Sequence, residues 1–353
     1  MLPRRTNNRR RSAGGKTTNA ADATAVTVGL LKGWPLPQPG ANKESRGAAL
    51  VVAGSRQTPG AVLLAAEAAL RAGAGKLQVI TVGSVATQAA VALPEALVQG
   101  VPETDDGEIH VDAADTVLER AENVDAVLFG PGVMRLPTVV ALLEKVLPRL
   151  QGNVVLDALA LSYLSEDAHR LRDLPAHYLL TPNEGELALA LGMDPPEMDE
   201  ETRVATARLA SRSGAVVSSG GTTTWTASSD GRLWRDDGGG PGLGVSGSGD
   251  VKSGIVLGLW ACGCDATQAA VWGAHLHARA GERLASRAGR VGYLARDICR
   301  RGPGDPHRAG AIGPGTRRGR PGRHTGWGGA TGSGARRARA VGPLVRFGVP
   351  VDG

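Results

Sequence analysis

The stretch "GAALVVAGSRQTPGAVLLAAEAALRAGAGKLQVITV", residues 47–82, decides the fold. Its ends, "GAALVVAG" and "KLQVITV", are short apolar runs rich in β-branched residues, the texture of strands buried on both faces of a sheet. Between them the apolar positions fall at helical spacing. They start at Pro59 and stop at Gly73 and Gly75, the asymmetry that helix ends show. A strand, a helix and a second strand so close together predict a βαβ unit with parallel strands.

The same order recurs in "DAVLFGPG" (125–132), "VVALLEKVLPRL" (139–150), "NVVLDALAL" (153–161), "HYLLTPNEGELALALG" (177–192) and "GAVVSS" (214–219). Repeated βαβ units predict an α/β fold, a mostly parallel sheet with helices on both faces. Such sheets bind ligands beyond the carboxyl ends of their strands. The residues to read for chemistry are therefore Gly54 and Ser55, Gly130 to Gly132, Asp157, Thr181 to Glu186, and Ser219 onwards.

With 353 residues and 42% hydrophobic content the chain can bury a sizeable core. The net charge of +6 is unevenly spread: residues 1–20 and 299–353 together carry +15, leaving −9 on residues 21–298. The acidic body argues against nucleic acid as its partner, except through the tails. Residues 1–24 are expected to be a disordered basic tail, and residues 299–353 a low-complexity Arg/Gly/Pro tail. A shifted reading frame in a GC-rich gene would give the same mixture. Three cysteines, Cys262, Cys264 and Cys299, are too few and too clustered for a secreted disulfide framework, so a reduced cytoplasmic protein is expected. No apolar run is long enough for a membrane span.

"PGLGVSGSGDVKSGIVLGLW", residues 241–260, gathers glycines 242, 244, 247 and 249 ahead of an acid and an apolar helix. Glycines let backbone N–H groups converge on an anion, and the helix adds its free amides and positive dipole end. Asp250 merely capping its helix is the bland alternative. An acid beside an anion site opposes the anion's charge, which favours a working carboxylate that accepts a proton from a hydroxyl meeting a phosphoryl group.

"GSGD" with its helix resembles the anion hole and catalytic aspartate of the ribokinase-like superfamily. The wider match is narrower still. "KESRGAALVVAGSRQTPGAVLLAAEAALRAGAGKLQV", "PEALV", "GPG", "VVLDALAL", "LLTPNEGELALALG" and "PGLGVSGSGDVKSGIVLGLWACGCDATQAAVWGAHLHARAGE" fall in the order seen in ADP-dependent NAD(P)H-hydrate dehydratases, across roughly residues 27–298. The resemblance implies a ribokinase-like three-layer αβα domain over residues 25–298. It implies ADP as cosubstrate, Mg²⁺, and hydrated NADH or NADPH (NADHX or NADPHX) as substrate. Asp250 would be the base and Gly247, Ser248 and Gly249 the anion hole. Ala61, Gly130, Gly132 and Asn183 would face the substrate; Ser219, Gly220, Thr222 and Thr223 the nucleotide; and Glu186 and Asp157 the metal.

The chain departs from that pattern at several points. Asn183 stands where the family commonly has histidine, Ser219 and Gly220 where it usually has lysine then glycine, Leu159 where it has a second aspartate, and "GPGVM" where it has "GPGLG". Asn183 and Glu186 also read as a capping box, and "SSDG" as the close of an ordinary hairpin. His275 and His277, two apart on a helix, lean to opposite faces and make a poor chelating pair. Homo-oligomeric assembly and a separate epimerase are implied partners. A ribokinase-like kinase of a small alcohol, or a degenerate nucleotide binder, would use the same residues.

Overall fold

The computed structural model describes residues 23–301. Its strands are β1 (Thr24–Ala25), β2 (Ala48–Val52), β3 (Lys76–Val82), β4 (Leu97–Val101), β5 (Ala126–Phe129), β6 (Asn153–Leu156), β7 (His177–Leu180), β8 (Val216–Ser219), β9 (Thr224–Ala227) and β10 (Leu233–Asp236). The helices are α1 (Val28–Gly33), α2 (Pro59–Ala72), α3 (Gly83–Ala92), α4 (Ala114–Ala121), α5 (Leu136–Val146), α6 (Glu184–Leu191), α7 (Asp199–Ser213), α8 (Ser248–Ala261), α9 (Ala266–Ala288) and α10 (Ala295–Arg301).

One sheet runs in the order β1-β10-β9-β8-β7-β6-β5-β2-β3-β4. Every pair from β4 across to β8 is parallel; β9 is antiparallel to both its neighbours. Alternate residues of a strand serve opposite layers. Leu50 and Val52 join the core with Leu142 of α5 and Leu209 of α7, whereas Ala49 and Val51 join Val62 of α2, Ile255 of α8 and Ala270 of α9. This is the expected three-layer αβα arrangement. The chain reverses direction along the sheet between β2 and β5, and a crevice at such a switch point is where α/β sheets take ligands.

β6 ends at Leu156, as reading Asp157 just after a strand expects, and the chain then turns into a 3₁₀ helix, Ala158–Leu164. Two features depart from the sequence reading. The edge strand β4 went unread because "LVQGV" is only partly buried and interrupted by Gln99 and Gly100. The expected tail boundary at Cys299 falls inside α10, where Ile298 and Cys299 are 0% and 1% exposed and the Cys299 thiol donates to the Leu64 carbonyl at 3.4 Å. Residues 1–22 and 302–353, nearly all of both expected tails, lie outside the described residues. Among the described residues no helix is long and apolar enough to cross a membrane.

Candidate active site

Successive strand ends bring the expected residues to one edge of the sheet. Gly130 follows β5, Asp157 follows β6, Asn183 follows β7 and Gly220 follows β8. Gly130 has φ +120°, and a Cβ there would stand 1.8 Å from the Asp157 carbonyl oxygen, so only glycine lets these two turns meet. Ala158, next to Asp157, has φ +49°, the one non-glycine positive φ among the described residues. Such strain persists where surroundings over-determine the backbone, as at functional sites. Gly132 is close to the start of α2: its Cβ position lies 2.7 Å from the Ala61 Cβ, and its carbonyl accepts from the Thr58 hydroxyl at 2.5 Å. Gly132 thus lies against Ala61, and Gly130, two residues earlier, against the Asp157 turn.

The glycine-rich segment ends at the N-terminus of α8. Gly247 caps the helix with φ +86°, a left-handed conformation that glycine adopts without strain. The Ser248 N–H is turned into the Val245 carbonyl at 3.1 Å, and the Val251 N–H closes the first turn on the Gly247 carbonyl at 3.2 Å. The first-turn amides left to meet an anion are those of Gly249 and Asp250. Asp250 sits on the same turn, with Oδ2 3.8 Å from the Cβ position of Gly247. Ser248 does not line the opening. Its side chain is buried and its hydroxyl is 2.9 Å from His277 Nε2, so its expected part in the anion hole is replaced by support from behind.

Across the crevice lie the other charged groups. Thr181 donates to Asp157 Oδ1 at 2.7 Å, and Asn183 and Glu186 form the capping box of α6. Burial raises the Asp250 carboxyl to about 7, helped by the charges of Asp157 and Glu186. Glu186 is likewise raised to about 7, by burial and then by Asp157, and burial also raises Asp157. Lys252 is buried within α8; burial lowers its ammonium to about 8 against the pull of Asp157, Glu186 and Asp236.

Among the described residues no group of three or more His, Cys, Asp or Glu is placed to hold a metal alone. Asp157 and Glu186 are hard oxygen donors whose charges already repel. They fit Mg²⁺, which is commonly held by one or two carboxylates while phosphate and water complete its shell.

Other expected residues sit elsewhere. The Ser219 side chain is wholly buried and pairs with the Thr206 hydroxyl of α7 at 2.6 Å, away from the crevice. Strand alternation makes Gly220 the position facing the site, where a Cβ would be 3.9 Å from Lys252 Nζ. Thr223 is buried with its hydroxyl on Asp237 at 3.3 Å, whereas Thr222 is exposed. "SSDG" closes the β9–β10 hairpin. His275 is 2.9 Å from Asp236 and His277 points to Ser248, so they do not converge. Burial pushes the Cys262 thiol up to about 11 and those of Cys264 and Cys299 to about 12, as expected for inert packing residues.

Lys252 is the group that sequence reasoning passed over; His277 was read only as half of a poor chelating pair, not as the partner of Ser248. The signal for Lys252 was present: a single charge in "VKSGIVLGLW", an otherwise uncharged helical run.

An acid placed over free first-turn amides suits the handling of a phosphoryl group, and the sheet sets that site in a ribokinase-like α/β enzyme. The chain belongs to the NAD(P)H-hydrate dehydratase family, whose pattern matches residues 49–303. It is 45% identical over 281 residues to an ADP-dependent (S)-NAD(P)H-hydrate dehydratase of Xanthomonas campestris, covering 79% of this chain and 94% of that one. A bifunctional NAD(P)H-hydrate repair enzyme of Moorella thermoacetica is 36% identical, and the match spans 75% of this chain but 50% of the relative. Among solved structures, the Bacillus subtilis ADP/ATP-dependent NAD(P)H-hydrate dehydratase co-crystallised with ATP/Mg²⁺ superposes with a TM-score of 0.68 at 26% identity. That match covers 80% of this chain and 97% of the other.

Proposed function

We propose that this chain restores NADH and NADPH from their hydrates, NADHX and NADPHX, with ADP as phosphoryl donor. The observation that carries the reading is Asp250, a half-buried acid held beside the free amides of its own helical turn. Asp250 takes the proton of the substrate hydroxyl as that oxygen attacks the terminal phosphorus of ADP. AMP leaves, and the carbon–oxygen bond then breaks to release phosphate. A ring proton is lost as the nicotinamide double bond re-forms. The Gly249 and Asp250 amides hold the charge that grows on the phosphoryl oxygens, a task worth about 3–4 kcal/mol per donor in comparable sites.

Ala61, Gly130 and Gly132 supply a wall without bulk for the nicotinamide ring. Asn183 commits Oδ1 to Glu186, so its amide N–H groups are the ones that reach the substrate. Asp157 and Glu186 would hold Mg²⁺, which spreads phosphate charge when bound. We place the catalytic unit within residues 25–301, in the cytoplasm, as a homo-oligomer, supplied by a separate epimerase that interconverts the hydrate epimers.

The test mixes purified protein with hydrated NADH, Mg²⁺ and ADP and follows the reduced-nicotinamide absorbance band. A rise that requires nucleotide is expected. A flat trace with a phosphorylated alcohol product would replace this reading with a kinase.

A further inference from the structure

We propose that Lys252 is the fixed cation of this site, meeting the nucleotide phosphates from α8 through the space that Gly220 leaves open at the end of β8. This rests on the proposed use of ADP. The first observation is the position of the charge. Residues 251–261 of α8 are buried throughout, and Lys252 is the single charged residue among them. Placing an ammonium there is unfavourable unless it is well partnered.

The partnering is incomplete. Lys252 Nζ donates to the Ser218 carbonyl at 2.8 Å, and among the described residues no carboxylate lies within 4.0 Å of it. An ammonium has three donors, so two remain for a ligand.

The second observation is where the side chain ends. β8 pairs with β7 through Val216 and Val217 and then diverges, and Nζ lies on the first carbonyl past that pairing. It reaches the strand end that faces the crevice. Gly220 is fixed there by its N–H bond to the Pro182 carbonyl at 2.9 Å, and its missing side chain leaves the ammonium 3.9 Å from the Cβ position. Asp157, Glu186 and Asp250 already surround the crevice with negative charge, to which a diphosphate adds more. A cation at Lys252 offsets both.

A purely structural role would be the capping of the Ser218 carbonyl, and the variants separate the two. Lys252→Gln keeps a donor for that carbonyl without the charge; Lys252→Met removes both. Calorimetry on the full chain with ADP and with adenosine is the measurement. ADP affinity is expected to fall about tenfold or more in both variants, the scale of a lost charge-assisted bond, while adenosine affinity holds. Adding Gly220→Lys to Lys252→Met should recover most of the ADP affinity by bringing the charge from the strand.

Lys252→Gln binding ADP as tightly as wild type would reduce Lys252 to a cap and overturn the proposal. Equal losses for ADP and adenosine would do the same. Wild-type protein that binds no ADP would overturn the proposed function as well, whereas undiminished ADP-dependent turnover in Lys252→Gln would overturn this inference alone.

Discussion

Asn183 and Glu186 hold each other by two reciprocal hydrogen bonds, Asn183 N–H to Glu186 Oε2 and Glu186 N–H to Asn183 Oδ1, both 2.9 Å. The capping box and the proposed ligand site are therefore the same two side chains. Asn183→Ala should lower stability by about 1 kcal/mol through the lost cap. Glu186→Gln retains an acceptor for the Asn183 N–H but removes the charge, so it should leave the melting temperature unchanged or higher while Mg²⁺-dependent turnover falls. Turnover that survives Glu186→Gln would leave Glu186 a cap and nothing more.

Asp250→Asn should cut turnover at least about a hundredfold, the scale of a lost general base, with ADP binding nearly intact. The base must be deprotonated to act, so wild-type kcat/KM should fall as pH drops through about 7. The same raised value bears on stability. Its folded-state value lies above its unfolded one, so ionisation costs stability as pH rises from about 4 and the cost is complete above about 7. Asp250→Asn should therefore melt higher than wild type at pH 8 and equally at pH 3.5. A lower melting point for the variant at pH 8 would refute the crowding of carboxylates.

The sheet was legible because its central strands are buried on both faces and write themselves as unbroken apolar runs. β2 and β3 were read almost residue for residue. The glycine-rich turn that opens α8 was legible because glycines and one acid ahead of an apolar helix leave few alternatives. What escaped was tertiary: whether Ser219 or Gly220 faces the crevice depends on the strand's alternation, and a slip of one residue exchanges the faces. Ser248 and His277 meet across 29 positions of sequence, which no local pattern announces. Lys252 was visible as an odd charge but its target, the Ser218 carbonyl, was not.

Gly130→Ala should destabilise by about 2 kcal/mol or more, since the new Cβ would strike the Asp157 carbonyl, a backbone atom that cannot swing aside. The same clash would push Asp157 from its Thr181 bond, so activity should drop beyond what the melting curve explains. Thermal unfolding beside kcat at a temperature where both proteins are folded checks it. A shift smaller than about 1 °C would show that the two turns can separate freely.

The C-terminal limit of the catalytic unit can be placed by two truncations. α10 packs on α2 and α8, and the Ala295 Cβ lies 3.2 Å from the Cβ position of Gly247 at the glycine-rich turn that opens α8. Ending the chain after Ile298 strips Cys299 from its buried contact with Leu64 and cuts the helix within its last turn. That chain should melt several degrees lower and bind ADP more weakly, because the helix supporting Gly247 frays. A chain ending at residue 303, where the family match stops, should keep wild-type melting and turnover. Equal behaviour of the two truncations would place the functional limit at Ile298; loss in both would mean that residues beyond 303 contribute to the folded unit.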